Sequence, residues 1–262
     1  MTHRGGLPAA PVAFGVRAAS LLGLLLIVAA MSAPAVASAQ AAPGEAPPPR
    51  ADEPFALSGR DHVSRWAFVE RRVIARAEPR AGSPRLTRLS TRTPEGTHNL
   101  VLALDRQNAD GRQWVRVRLP MLPNNSTGWV PRRALGGYEK VVTHLYVDTR
   151  RRRLRLERGG RTVLRARVGV GRSRWPTPTG EFYVRNELRG FDSPAYGPVA
   201  FGTSARSAVL TDWPAGGFVG IHGTNRPGLI PGAVSHGCIR MRNREILRLA
   251  RMMPIGTPLT VS

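Results

Sequence analysis

The sequence predicts a mainly β protein with one short C-terminal helix, and three observations carry that prediction. Trp114-Val115-Arg116-Val117-Arg118-Leu119 alternates apolar and polar residues with period two, the pattern of a half-buried strand. Residues 153–157 and 163–170 form two more such runs around Gly159-Gly160, a hairpin signal. In the second run Leu164, Ala166, Val168 and Val170 share one face while Arg165 and Arg167 share the other. Helical spacing occurs near the C-terminus, where Ile246, Leu249, Ala250 and Met253 fall on one face. Asn243 is placed to cap that helix, and Pro254 with Gly256 to end it.

Taken in order, residues 1–39 read as a secretory signal. Arg4 and Arg17 supply a basic start, residues 18–31 an apolar core, and Ala37-Ser38-Ala39 a small-residue cleavage site. The apolar run is short for a span, which needs about 20 residues, so no stable membrane span is expected after cleavage. An uncleaved anchor stays open as the alternative. Export to a periplasm or cell wall is the expected location. Residues 40–65, with Pro47-Pro48-Pro49, read as a flexible linker too poor in apolar surface to order itself.

Residues 66–136 read as a small β domain. Val73-Ile74 and the apolar run 100–104 are of strand character, Pro123-Asn124-Asn125-Ser126 is turn chemistry, and Thr127-Gly128-Trp129-Val130 resumes the sheet. This strand, turn and closing GWV resemble bacterial SH3-like barrels. Trp114 and Trp129 are candidates for a ligand groove or for the barrel core, with core expected for at least one. Gly136-Gly137 reads as a hinge into a second domain, 137–262. There Val141, Thr143, Leu145 and Val147 alternate with Val142, His144 and Tyr146, and His144 is expected to be structural. Gly169-Val170-Gly171 lacks the third glycine and the helix of a dinucleotide loop. A strand follows over 181–185, then a loop-rich stretch over 189–217. Tyr196 and Trp213 in that stretch are candidate groove residues. Residues 218–221 form a buried strand that delivers His222, and 258–261 a last strand.

The formal charge is +22, nearly all of it arginine, with Lys140 the only lysine. Such a surface attracts polyanions, which outside a cell are anionic wall polymers, peptide carboxylates and lipids. The arginines are dispersed, with no recognition helix or stacking-aromatic motif, so nucleic acid is not an expected partner.

The chemistry concentrates in IHGTNRPGLIPGAVSHGCIRM, residues 221–241, which holds the chain's one cysteine, Cys238, and two of its six histidines. A lone thiol with a histidine elsewhere in the chain is the minimum for a Cys/His nucleophilic pair. A free thiol is mostly protonated at neutral pH, and an imidazole in hydrogen-bond reach can take its proton. Gly237 permits a tight turn that exposes amide N–H groups beside the sulfur, as an oxyanion hole requires. The competing readings are a buried, inert cysteine with a core histidine, or a zinc site from His222, His236 and Cys238. The preceding Gly237 offers nothing for Cys238 to pack against, and no C-x-x-C or H-E-x-x-H completes a zinc set. No metal and no organic cofactor are expected.

HGTN, a spacer and SHGCIRM together resemble the L,D-transpeptidase catalytic domain of the YkuD type. Pro176-Thr177-Pro178-Thr179-Gly180-Glu181-Phe182 and Gly197-Pro198-Val199-Ala200-Phe201-Gly202 resemble it as well, so the likeness covers about residues 140–262. The resemblance implies a β-sandwich acting on peptidoglycan stem peptides, with Cys238 as nucleophile and His222 as general base. It also implies that the Gly223 carbonyl orients the imidazole and that backbone around His236, Gly237 and Cys238 binds the oxyanion. Arg240 stands where other branches carry asparagine, and either orients a stem carboxylate or braces the loop. Ser235 is a further substrate-side candidate. The reaction implied is cross-linking through a cysteinyl thioester. An L,D-carboxypeptidase or amide hydrolase, an enzyme attaching a protein to the wall, and a non-catalytic wall binder remain alternatives.

Overall fold

Apolar faces written with period two must find a covering layer, and here they do so in two sheets joined by a shared apolar seam. The computed structural model describes residues 54–59, 61–190, 193–210 and 217–262. The expected signal, most of the expected linker and Trp213 lie outside the described residues.

The first sheet has eight strands among the described residues. Its path runs Arg85–Leu89, Val73–Arg76, Thr127–Pro131, Arg112–Arg118, Leu100–Ala109, Ser64–Phe68 and Glu139–Val141, with Phe55–Ala56 added on Leu100–Ala109. All its pairings are antiparallel. Ala67, Val101, Ala103, Val115, Val117 and Val130 fill its core. Trp114 and Trp129 are both buried. Two expectations about its edges change. Phe55, Ala56, Ser64 and Arg65, inside the expected linker, pair into the sheet, because Leu57 has an apolar core to enter and is buried there. The expected hinge is also tied down: Gly136 N–H donates to the Phe68 carbonyl at 2.9 Å, and Glu139–Val141 stays with the first sheet.

The second sheet has ten strands. Its outer half runs Arg161–Arg167, Arg153–Arg158, Thr143–Asp148 and Pro258–Val261, reaching Gly180–Leu188. The other half continues through Ala200–Arg206, Phe218–His222, Ile239–Arg240, Gly169–Gly171 and Gly232–Ser235. Three pairings are parallel: Pro258–Val261 with Thr143–Asp148, Phe218–His222 with Ile239–Arg240, and Gly169–Gly171 with Gly232–Ser235. The helix Asn243–Ala250 lays Ile246 and Leu249 on the core of this sheet, with Met253 following. The protein is thus mainly β with one α-helix among the described residues.

The expected single strand 163–170 is in fact two. After Arg167 the chain leaves the outer half, Val168 N–H bonding the Arg152 carbonyl, and Gly169–Gly171 joins the far half beside the cysteine loop. Gly169 permits this, because a Cβ there would press on Val234 at 2.8 Å. The stretch 189–217, expected as loop, contains strand Ala200–Arg206. Its sequence AFGTSAR lacks a clean alternation because both faces are covered and Gly202 must admit the Asn186 amide oxygen, 3.1 Å from its own N–H.

Trp66, Leu100, Leu102 and Val141 of the first sheet meet Tyr183 of the second in one buried cluster. The Tyr183 hydroxyl donates to the Leu100 carbonyl at 3.1 Å, and Gly256 gives up a side chain to lie flat on the Trp66 ring.

Candidate active site

The site is assembled from two neighbouring strands and the loops around them. Phe218–His222 and Ile239–Arg240 run parallel, with Ile221 opposite Ile239 and His222 opposite Arg240. That register puts Gly220 beside Cys238, and Gly220 N–H points at the sulfur at 3.4 Å. With side chains alternating across a strand, His222 and Cys238 share one face of the sheet as diagonal neighbours. Both line a single cavity of about 270 Å³, together with Tyr196, His236 and Arg240. Gly220 contributes no side chain between them; a Cβ there would meet only the Phe201 carbonyl within 4 Å.

His222 is buried, and its Nδ1 lies 2.7 Å from the Gly223 carbonyl. A carbonyl can only accept, so Nδ1 carries the proton and Nε2 is left as the acceptor. Burial lowers the imidazole pKa to about 4; the Gly223 bond opposes the shift, while the Arg240 charge adds to it. Burial also pushes the Cys238 thiol upward, partly offset by the Gly220 N–H and by Arg240. Both shifts favour the uncharged forms, a neutral thiol and a neutral imidazole, at neutral pH.

The loop bearing the cysteine is held from both sides. Gly237 has φ of 113°, a left-handed conformation that disfavours any side chain. Ser235 is fully buried; its hydroxyl donates to the Cys238 carbonyl at 2.6 Å and accepts Gly237 N–H at 3.1 Å. Those two bonds brace the turn from within, and Ser235 also lines the cavity that holds Cys238 and His222. The second of them commits the Gly237 amide to the turn, away from the role of oxyanion donor expected of it. Thr177, the first threonine of PTPTG, ties the loop to its neighbour: its hydroxyl donates to the Gly237 carbonyl at 2.8 Å and accepts Gly171 N–H at 2.8 Å. Neither Thr177 nor Gly171 stood out in the sequence as a site residue. The signal was there in the PTPTG motif, but its meaning needed the sixty-residue separation to be closed.

Asn243 also acts differently from a cap. It is the first helical residue, and its side-chain oxygen accepts Thr224 N–H at 2.8 Å, fixing the loop after His222. Tyr196 stands over the imidazole with ring centroids 5.0 Å apart. His236 packs on Trp175 at 4.0 Å, and Arg174 covers the other ring at 3.5 Å. Burial, then Arg172, Arg240 and Arg174, lower the His236 pKa. Arg240 lines the cavity, and its Nε is buried without a hydrogen-bond partner among the described residues. His144 is remote from this site, bonded to the Thr260 hydroxyl at 2.8 Å and stacked on Tyr146. Among the described residues no group of three or more His, Cys, Asp or Glu is arranged to hold a metal ion.

A family model for the L,D-transpeptidase catalytic domain, YkuD, matches residues 142–261. YkuD of Bacillus subtilis, named as an L,D-transpeptidase, is 35% identical over 122 residues, covering 47% of this chain and 67% of that protein. This chain belongs to the YkuD-type L,D-transpeptidase family. The Bacillus licheniformis YkuD is 36% identical over 124 residues, 47% of this chain and 68% of its own. Among solved structures, a mutant L,D-transpeptidase of Enterococcus faecium is 24% identical, with a TM-score of 0.37 over 46% of this chain. The chain spans about half of that protein, 49%. L,D-transpeptidase 3 of Mycobacterium tuberculosis, solved with a faropenem-derived adduct, is 17% identical, with a TM-score of 0.37 over 58% of this chain and 91% of its own.

Proposed function

We propose that this protein is an exported peptidoglycan L,D-transpeptidase working through a Cys238 thioester. The observation that carries the reading is the placement of His222 and Cys238 on one face of adjacent parallel strands, in one cavity, with Nδ1 held by the Gly223 carbonyl.

As the sulfur attacks the carbonyl carbon of the donor stem's third residue, its proton passes to Nε2 of His222. The carbonyl oxygen becomes an oxyanion, which the Cys238 amide stabilises. Collapse breaks the C–N bond, and the imidazolium returns its proton to the departing amine of the terminal D-amino acid. A thioester remains. An amine of a second stem attacks it, gives a proton to Nε2, and the new amide forms as the thiolate leaves and is reprotonated. Arg240 and the nearby Arg172 and Arg174 make the surroundings cationic, which suits both the transient thiolate and a carboxylate-bearing peptide. Residues 1–39 supply the export signal this location requires.

The test is incubation of the chain with a disaccharide-tetrapeptide muropeptide, followed by mass analysis of protein and products. A cross-linked dimer, one released D-amino acid per link and an acyl mass on Cys238 are expected, all absent in Cys238→Ala. Product formation by Cys238→Ala, or a wild type with no acyl adduct, overturns the reading. Release without dimer would assign water as the acceptor.

A further inference from the structure

A second cavity, of about 370 Å³, lies where the two sheets meet. The first sheet lines it with Arg88 and Arg92, the second with Arg185, Arg206 and Phe218, and no carboxylate is among its lining residues. Phe218 also lines the cavity that holds Cys238 and His222, so the two spaces share a wall one side chain thick.

That wall is built for rigidity. Arg185 is buried, with 2% exposure, and its guanidinium lies 3.7 Å from the Phe218 ring centroid. Its Nε donates to the Thr203 carbonyl at 2.8 Å and its Nη2 to Glu95, in a turn beyond the first sheet's edge strand, at 2.9 Å. Asn186 donates to the same carboxylate at 3.2 Å and to the Thr97 hydroxyl at 3.0 Å. A buried charge pair with further hydrogen bonds fixes the turn around Glu95 against the second sheet. Glu95 thereby neutralises Arg185. Arg88 and Arg92 are exposed and enter no ion pair among the described residues; Arg92 donates to the Gly96 carbonyl at 2.7 Å, which leaves its charge uncompensated.

We propose that this arginine-lined cleft is a carboxylate subsite for the acceptor stem peptide, so that the first sheet supplies part of the substrate groove. The inference rests on the transpeptidase reading above. Distance supports it: Phe218 is two residues from Gly220, which lies against Cys238, and four from His222, so about 7 to 13 Å of strand separate it from the reacting pair. An extended peptide gains roughly 3.3–3.6 Å per residue, so a carboxylate some three or four residues from the attacking amine reaches the cleft. Guanidinium groups bind such a group by charge-assisted, often bidentate hydrogen bonds. The ligand is a peptide carboxylate rather than a long polyanion, because the cleft adjoins the reacting centre and is of side-chain size.

The experiment uses Arg88→Gln, Arg92→Gln and the double variant, all at exposed positions outside the catalytic machinery, and reads the two half-reactions separately. Donor acylation of Cys238 is expected to stay within about twofold of wild type. The KM for an acceptor stem with free carboxylates should rise about tenfold or more in the double variant. The KM for the same stem with its carboxylates amidated should already be high in wild type and change little. An unchanged acceptor KM, or an equal rise for both stems, overturns the subsite, as does an equal slowing of acylation. In the Cys238→Ala chain, calorimetry with the two stems and with inorganic phosphate gives a readout without turnover. Tighter binding of the free-acid stem, lost in the double variant, supports the proposal. Equal binding of both stems, or phosphate bound as tightly as the free-acid stem, overturns it. A wild type that fails to acylate Cys238 at all refutes the transpeptidase reading itself, which the variants do not.

Discussion

The two halves of the second sheet are written in different styles. In the outer half, each strand alternates: Leu154 and Leu156 are buried while Arg153 and Arg155 face solvent, and Leu164 and Ala166 oppose Arg165 and Arg167 in the same way. Like charges even stand directly opposite one another, Arg153 against Arg167 and Arg155 against Arg165, with Arg155 also lying over the Tyr146 ring at 4.0 Å. In the half that holds the site, the strands are short and rich in glycine and small residues, and neighbouring backbone or side chains occupy the space that larger residues would need. The outer half is specified by a pattern many residues can satisfy. The site half is specified by contacts few residues can satisfy.

The sharpest way to break that contrast is Gly171→Ala. A Cβ there would fall within 3 Å of backbone atoms of Trp175, Pro176 and Thr177, so a methyl group forces the loop under Cys238 to move. A loss of about 3 kcal/mol in denaturant unfolding is expected, with a large fall in acylation rate. Little change in either would mean the close approach is not needed.

A pH series is the next largest effect. The folded pKa of His222, about 4, lies below the ordinary 6.5, so the unfolded chain binds the proton more readily. Stability from the neutral imidazole is complete above about 6.5 and lost as pH falls toward 4, by roughly 3 kcal/mol in all. Glu95 adds to this in acid. Burial alone would raise its pKa, but Arg185, Thr93 and Asn186 outweigh burial and hold it below 4.5, so its contribution fades at the bottom of the same range. Unfolding free energies measured from pH 8 to 4 should slope downward in wild type and flatten in His222→Gln. The same slope in both would remove His222 as its cause.

Thr177→Val keeps the shape and deletes the hydroxyl, leaving Gly171 N–H and the Gly237 carbonyl without their shared partner. The expected cost is about 2 kcal/mol, and acylation should slow more than donor KM rises. At the small end, Arg165→Thr in the outer half removes one member of an opposed pair on an exposed strand. Thermal unfolding should change by less than about 0.5 kcal/mol, in the stabilising direction if repulsion dominates.

The strands most readily seen in the sequence are those whose side chains meet a core on one face and water on the other. Strands 153–158 and 258–261 belong to this kind, as do the helix residues Ile246 and Leu249. Ala200–Arg206 and the break after Arg167 escaped, because burial on both faces and backbone contact erase the alternation. Asn243, suited by composition to capping, was instead taken up by a loop that its neighbours bring alongside.

By itself the sequence determined the chemistry available to this protein: one thiol, a histidine within a recognisable motif, a mainly β chain and a strongly cationic surface. These follow from residue type and local spacing, which a linear string records. Only the tertiary structure decided that Gly220 lies against the sulfur, that Thr177 bridges two loops, and that Glu95, in a turn beyond the first sheet's edge strand, neutralises Arg185 of the second sheet. Each of those depends on segments far apart in the chain being brought within hydrogen-bond distance, and no local pattern encodes such a meeting.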